Sequence, residues 1–569
     1  MLNRYWVILF AAGLAEGQQL RSLKAVATPV SPELGTYVRN QEALVQLGKA
    51  LFWDMQTGSD GRSACATCHF HAGADHRVQN QAVDPNRPFA VNLALDASMF
   101  PLRVLANPAN RTSEVLRDSS MRIGSAGLYR RKFVSTVPGQ AAEIGEDLFD
   151  KPEFLSADLQ VRRVTVRNTP TVINSVFNVL NFWDGRANQI FDGFTVEGRP
   201  EATPGVAVIR NGALVKEQVR ITNASLASQA VGPALDHLEM SYEGRTWPDL
   251  GRKMLSLRPL ALQKVATDDA VLGSLAEAEG RGLQERVTYL GLIQAAFQPA
   301  YWESTELVDG ERTQVEHNFA LFWGLSMQAY QATLVSNDSR FDRFQDGDRG
   351  ALTAEEQQGM QLFTGAGNCN ECHGGAEFTA ASFTARGNGG GLNVHAFQRT
   401  GVRPVDEDTG RANGTFKSSG LRNVELTGPY FHNGGQATLE QVVEFYQRGA
   451  DFNPNNNDIR AFNASATQRA ALVAFMKALS DDRVKYDRAP FDHPELCVPA
   501  GHVEMGPGML AAGVDPFPRS AAERYVAIPA VGAGGHAAPL QTFEELLHGV
   551  GADGSRAHAM KEECTAPLP

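Results

Sequence analysis

The sequence predicts a mostly α-helical protein of two similar units, with long loops and an irregular C-terminal tail. Three observations carry that expectation. The pentapeptides CATCH (65–69) and CNECH (369–373) repeat one spacing far apart in the chain. Each follows a segment with apolar residues at helical spacing, LVQLGKALFWD (44–54) and LTAEEQQGMQLFTG (352–365). After about residue 490 the chain turns rich in Gly, Pro and Ala.

Each lead-in has its own local logic. The second opens with Thr353 and has Glu356 three residues on, a capping-box pattern. The segment VEHNFALFWGLSMQAYQATLV predicts one long helix over 315–335. Residues 70–160 and 188–224 show no clear period and read as loops with short helices. The acidic run DEDTG at 406–410 reads as a solvated loop.

Bulk composition narrows the function. The chain has 569 residues, 43% hydrophobic and 20% charged, enough for two or three domains with full cores. Its net charge is −12 without any Lys/Arg run, so the electrostatic footprint of nucleic-acid binding is missing. Arg4 followed by the apolar run Tyr5–Leu14, with Ala15 and Gly17 beyond, predicts a signal peptide over 1–17 and export to the periplasm. No later apolar stretch approaches the length that a helical membrane span needs, so no stable span is expected.

C-x-x-C-H is the attachment signature of a c-type haem. Both thiols add to vinyl groups on one porphyrin edge, and the next residue becomes the proximal iron ligand. One chance occurrence with 6 Cys and 13 His has a probability of roughly 0.001. A thioredoxin-like pair would need a βαβ context, and a Cys₂His₂ zinc site another histidine spacing. Two covalent haem c groups are therefore expected, on Cys65, Cys68 and His69, and on Cys369, Cys372 and His373. Cys497 and Cys564 either pair or remain buried thiols. The expected domains are an N-terminal cytochrome c-type haem domain with insertions (18–336), a second such domain (337–490) and an extension (491–569).

Five motifs in order resemble the bacterial dihaem cytochrome c peroxidase and MauG family: LGKALFWD…SACATCH, RNTPTVINSVFN…FWDGRA, SQAVGP…LEM, LFTGAGNCNECH and LRNVELTGPYFHNGGQATLEQVVEFY. The enlarged loops and tail point to a large branch, distantly akin to the dihaem rubber oxygenases. The resemblance implies a calcium ion between the haem domains, held by Asn168, Thr427 and Pro429. Counted from His432, it puts Tyr446 in the distal position of the His373 haem, as in MauG. Local pattern agrees: Thr438 and Gln441 suggest a capping box, and Leu439, Val442, Val443 and Tyr446 share one helical face. Many family peroxidases carry a displaceable distal histidine at a fixed spacing before the tryptophan that Trp183 matches. Here that position holds Gln160, which implies an open position at the His69 haem.

By the same resemblance Glu239 is the carboxylate that assists O–O cleavage, Gln229 its polar companion, and Trp183 the relay between haems. The stretch 188–224 interrupts the family pattern and is expected to form a lobe near the pocket. The implied function is reduction of hydrogen peroxide by an exported, MauG-like dihaem enzyme, with high-valent iron shared over two haems. Its electron donor would be a small cytochrome c or cupredoxin. Alternatives are oxidative modification of a protein or small-molecule substrate, and oxygenation of a hydrophobic substrate. A pure electron carrier would have no use for Glu239 and Gln229.

Overall fold

A computed structural model describes residues 19–87, 90–386, 390–452, 458–506, 508–513, 519–560 and 564; the expected signal peptide lies outside them. Among the described residues are fourteen α-helical segments and eight two-stranded antiparallel sheets. No helix of these residues is long and apolar enough to cross a membrane.

The first lead-in is the helix Gln41–Trp53. The Asn40 side chain accepts from the Ala43 amide at 3.2 Å, satisfying one of the donors left open at a helix start. Its face of Leu44, Leu47 and Leu51 is buried against the helix Phe319–Gln331. Gly48 permits the crossing, because a Cβ there would stand 2.0 Å from the Ser326 carbonyl oxygen. The second unit repeats the device. Thr353 and Glu356 form the full reciprocal box ahead of Ala354–Thr364, and a Cβ on Gly359 would stand 2.0 Å from the Ala471 carbonyl oxygen in the helix Ala466–Lys477. From these glycines both helices read G-x-x-L-F, ending in Phe52 and Phe363.

Several expectations are corrected. The long helix over 315–335 is broken into Gln314–His317 and Phe319–Gln331. Asn318 sits at the break because its side chain serves another element: Nδ2 donates to the carbonyls of Ala207 and Tyr301, and Oδ1 accepts from the Ala207 amide. Residues 70–160 are mostly loop, as expected, but their regular structure is chiefly short hairpins, among them Arg103–Leu105 with Val115–Asp118 and Arg131–Ser135 with Ile144–Asp147. Short strands paired only to each other leave little periodicity in a sequence. The stretch 188–224, expected as a lobe near the pocket, contributes no residue to the wall of the cavity at the first C-x-x-C-H motif and instead packs into the core. Its strand Val206–Arg210, paired with Ala213–Glu217, buries Val206 and Val208 in the largest hydrophobic core. The run at 406–410 is ion-paired as well as solvated: Asp408 receives Arg167 Nη2 at 2.7 Å, and Glu407 pairs with Arg403.

The tail is more regular than expected. Strand Leu496–His502 pairs with Glu523–Ile528, and Leu496, Cys497, Val498 and Ile528 join the largest core, which is built mainly from residues 37–334. A second core draws on residues 341–479. Arg162 is buried between Asp60, at 2.7 Å, and Glu523 of the tail. Cys497 and Cys564 form a disulfide. That bond closes a separation of 67 residues, so the Cys564→Ala protein is expected to lose about 2–4 kcal/mol of stability. Denaturant unfolding of wild type and variant measures the difference, and equal midpoints would contradict it.

Candidate functional site

The first C-x-x-C-H motif folds as the short helix Ala66–His69 beneath a cavity. His69 Nδ1 donates to the Gly73 carbonyl at 2.8 Å, which fixes the tautomer and leaves Nε2 as the free ring nitrogen of a cavity-lining residue. Burial lowers the His69 pKa, so the imidazole is neutral and fit to ligate.

Gln229 and Glu239 line this same cavity. Gln229 lies on the helix Ser225–Ala230. Glu239 lies on a turn pinned at both neighbours. The Leu238 carbonyl accepts from the Leu128 amide at 3.2 Å, and the Met240 carbonyl from the Ser59 amide at 2.9 Å. Gly127 makes room, since a Cβ there would stand 1.7 Å from the Leu238 carbonyl oxygen. Burial, then the charge of Asp236, raises the Glu239 carboxyl to about 7, against the pull of Arg186. A carboxyl balanced near neutrality both accepts and donates a proton.

His69 is the one histidine among the lining residues of this cavity. Gln160, at the family's ligand position, does not line it; its Oε1 accepts from the Arg130 amide at 3.2 Å. No residue of 188–224 lines it either. Phe52, Met327 and Gln331 do, and sequence reasoning missed them. Phe52 was findable from the repeated G-x-x-L-F; Met327 and Gln331 carried no signal beyond helical periodicity.

The second cavity holds about 270 Å³ and is lined by Cys369, Cys372, His373, Phe363 and Tyr446. His373 Nδ1 donates to the Ser419 carbonyl at 2.9 Å, repeating the arrangement at His69. The helix Leu439–Gln447 starts where expected, though only half of the capping box forms. Thr438 accepts from the Gln441 amide, while the Gln441 side chain turns to the Ala437 amide at 2.8 Å. Leu439, Val442, Val443 and Tyr446 all line the cavity; Tyr446 is partly buried and packs against the small cluster of Val402, Phe445 and Ala450. Burial, with the neighbouring Cys372 and Cys369, pushes the Tyr446 phenol up, so phenolate there requires a Lewis-acidic partner.

The segment 168–174 runs between the cavities. Val172 lines the first, while Thr171 and Ile173 line the second. Trp183 lines the second cavity and donates Nε1 to the Asn168 carbonyl at 2.7 Å. Asn168 Nδ2 donates to the Pro429 carbonyl at 2.5 Å, and Thr427 lines the same wall. The structure thus gathers Asn168, Thr427 and Pro429 beside Trp183. It also gathers Glu239 and Gln229 with the first motif, and Tyr446 with the second.

Two cavities, each walled by one C-x-x-C-H motif and a phenylalanine from the preceding helix, define the architecture of a dihaem c-type protein. The chain belongs to the di-haem cytochrome c peroxidase family, which it matches over residues 42–122 and 146–350, half of its length. It is 34% identical over 186 residues to a cytochrome-c peroxidase of Denitromonas iodatirespirans, covering 27% of this chain and 48% of the relative. It is 26% identical over 317 residues to the cytochrome c551 peroxidase of Nitrosomonas europaea (56% of this chain, 66% of the relative). It is 34% identical over 155 residues to the methylamine utilization protein MauG of Methylorubrum extorquens (27% and 42%). The chain thus matches 42% to 66% of the length of these relatives.

Family membership implies haem c, and the residues present fit it. Cys65, Cys68, Cys369 and Cys372 are unpaired and partly buried, whereas the remaining two cysteines are paired. Burial raises the thiols of Cys65, Cys68 and Cys369 to about 12 and that of Cys372 to about 11, disfavouring the thiolates a zinc site would use. Among the described residues neither pair belongs to a cluster of metal donors.

Gly127 yields a test of how Glu239 is held. Gly127→Ala is expected to cost about 1–3 kcal/mol by forcing the 236–240 turn outward. A thermal melt of the haem-loaded protein indistinguishable from wild type would show that the turn tolerates the displacement.

Proposed function

We propose that this chain reduces hydrogen peroxide as an exported dihaem enzyme with a MauG-like asymmetry between its cavities. The observation that carries the reading is the wall of the first cavity. Glu239 with a carboxyl near 7 and Gln229 face the cavity of the CATCH motif, with His69 its one lining histidine. The reaction balances as one peroxide, two electrons and two protons giving two waters.

Bound haem supplies the electron transfer that breaks the O–O bond. The protein supplies the proton movement. Glu239, ionised, would take a proton from one peroxide oxygen and return it to the other, which then leaves as water. The Gln229 amide donates a hydrogen bond that orients the peroxide. His69, oriented by the Gly73 carbonyl, would hold the haem iron through its free Nε2. The indole of Trp183, anchored on Asn168, would carry charge between the two haem sites. Tyr446, in the cavity of His373, would hold the second iron as phenolate, a hard anionic donor that would stabilise oxidised iron. Asn168, Thr427 and Pro429, gathered beside Trp183, would hold a calcium ion through oxygen donors, helped by waters. Electrons come from a small cytochrome or cupredoxin in the periplasm.

One observation favours a second reading, MauG-like oxidation of a protein or small-molecule substrate. It is the tyrosine in the cavity of His373, which suits storage of oxidising equivalents better than electron uptake. An oxygenase reading gains no support from 188–224, none of whose residues lines the first cavity.

The carboxyl at about 7 sets a pH dependence. Ionised Glu239 is the active form, so kcat/KM for peroxide should fall about tenfold per pH unit below 7. Glu239→Gln should abolish that acid limb and lower kcat/KM by about 10²–10⁴. A variant that keeps the wild-type rate and acid limb would remove Glu239 from the mechanism. Tyr446→His should change the absorption and EPR spectra of the His373 haem alone. Identical spectra would mean that the phenol is not a ligand.

A further inference from the structure

Outside both haem cavities, the chain after residue 486 brings four metal-ligating side chains to one point. Asp487 Oδ2 lies 3.4 Å from His558 Nε2, 3.5 Å from His536 Nε2 and 3.7 Å from His493 Nε2. One ligand atom from each of the four residues lies within 4.8 Å of the other three. Asp487, His493 and His558 are almost wholly buried, while His536 closes the outer side with a fifth of its side chain exposed.

These same four atoms, Asp487 Oδ2 and the Nε2 atoms of His493, His536 and His558, have no hydrogen-bond partner. Buried polar atoms without partners are costly and rare singly, and four aimed at one point call for a common partner. Their separations are too long for good hydrogen bonds. They suit a shared ion: bonds of about 2.0–2.1 Å in a tetrahedral zinc centre put the donor atoms about 3.3–3.4 Å apart. The other ring nitrogens of His493 and His558 are already used. His493 Nδ1 donates to the Pro494 carbonyl at 2.9 Å, and His558 Nδ1 meets His71 Nδ1 at 3.2 Å. Such outer hydrogen bonds fix a ligating imidazole and leave its second nitrogen for the metal.

We propose that Asp487, His493, His536 and His558 bind one zinc ion. Three imidazoles and one carboxylate are borderline donors suited to Zn²⁺, and four protein ligands make a closed, structural site. The ion joins the C-terminal extension to the first haem unit. His558 contacts His71, two residues beyond His69, and its carbonyl accepts from His76 Nε2 at 3.0 Å. His71 and His76 stack at 3.6 Å. On the other side His493 stacks on Trp53 at 4.6 Å, at the end of the first lead-in helix. The disulfide from Cys497 to Cys564 starts four residues after His493 and ends six after His558, so ion and disulfide clamp the same two strands of chain.

The test is elemental analysis of the purified, haem-loaded full chain after incubation with zinc alone and removal of loose metal. One zinc per chain is expected beside two irons. X-ray absorption at the zinc edge should show three imidazole nitrogens and one oxygen at about 2.0–2.1 Å. Asp487→Asn, which preserves shape, and His536→Ala, at the exposed side, should each lose the zinc while keeping two haems. Wild type below a tenth of an equivalent, or zinc undiminished in both variants, would overturn the site. A stoichiometric ion that excludes zinc would overturn the choice of metal. The absorption measurement needs no variant, so a folding failure in either leaves the question decided.

Discussion

The Gly73 carbonyl accepts two hydrogen bonds, and the rest of the site hangs on them. One comes from His69 Nδ1 at 2.8 Å and sets the ligating nitrogen; the other comes from the Val172 amide at 3.0 Å. Val172 belongs to the segment that separates the cavities, so the orientation of the first proximal histidine and the position of the inter-cavity wall are a single constraint. Gly73 tolerates this with φ of +73° and with a Cβ position only 2.7 Å from Thr171 Oγ1, where any larger residue would push the wall away. From Asn168 the same segment reaches the second cavity: its amide donates to the His432 carbonyl at 2.8 Å and its carbonyl accepts from Trp183.

Around that wall the two units use one packing solution. A glycine in each lead-in helix lets a second helix cross at backbone contact, and a phenylalanine four residues later points into the cavity. The distal sides differ. The first carries a carboxyl and an amide on a pinned turn and a helix; the second carries an apolar helical face ending in a phenol. Chemistry that needs proton movement has its residues at one cavity, and chemistry that needs an oxygen donor has them at the other.

The C-terminal extension contributes a strand pair to the first core, a partner for buried Arg162, a disulfide and the histidine cluster beside His71. Arg162 between Asp60 and Glu523 is costly to desolvate, and removing one partner of such a group typically costs about 3–5 kcal/mol. The extension is thus an integral wall of the first unit. The insertion at 188–224 behaves likewise, since its strand supplies Val206 and Val208 to the core and holds Asn318 at a helix break.

The two C-x-x-C-H motifs were legible from the residues alone, because covalent haem chemistry imposes a spacing that survives any fold. The residues also determined the lead-in helices and the face of Leu439, Val442, Val443 and Tyr446, because apolar period and capping are local. The hairpins of 70–160 were hidden, since such short strands leave no period to read. The break at Asn318 was hidden because its cause, the strand Val206–Arg210, lies far earlier in the chain. Only the tertiary structure decided that Glu239 and Gln229 share a wall with His69, that Cys497 meets Cys564, and that Asp487, His493, His536 and His558 converge. Each of these joins residues far apart in sequence, and such meetings are set by packing, which no short window of sequence contains.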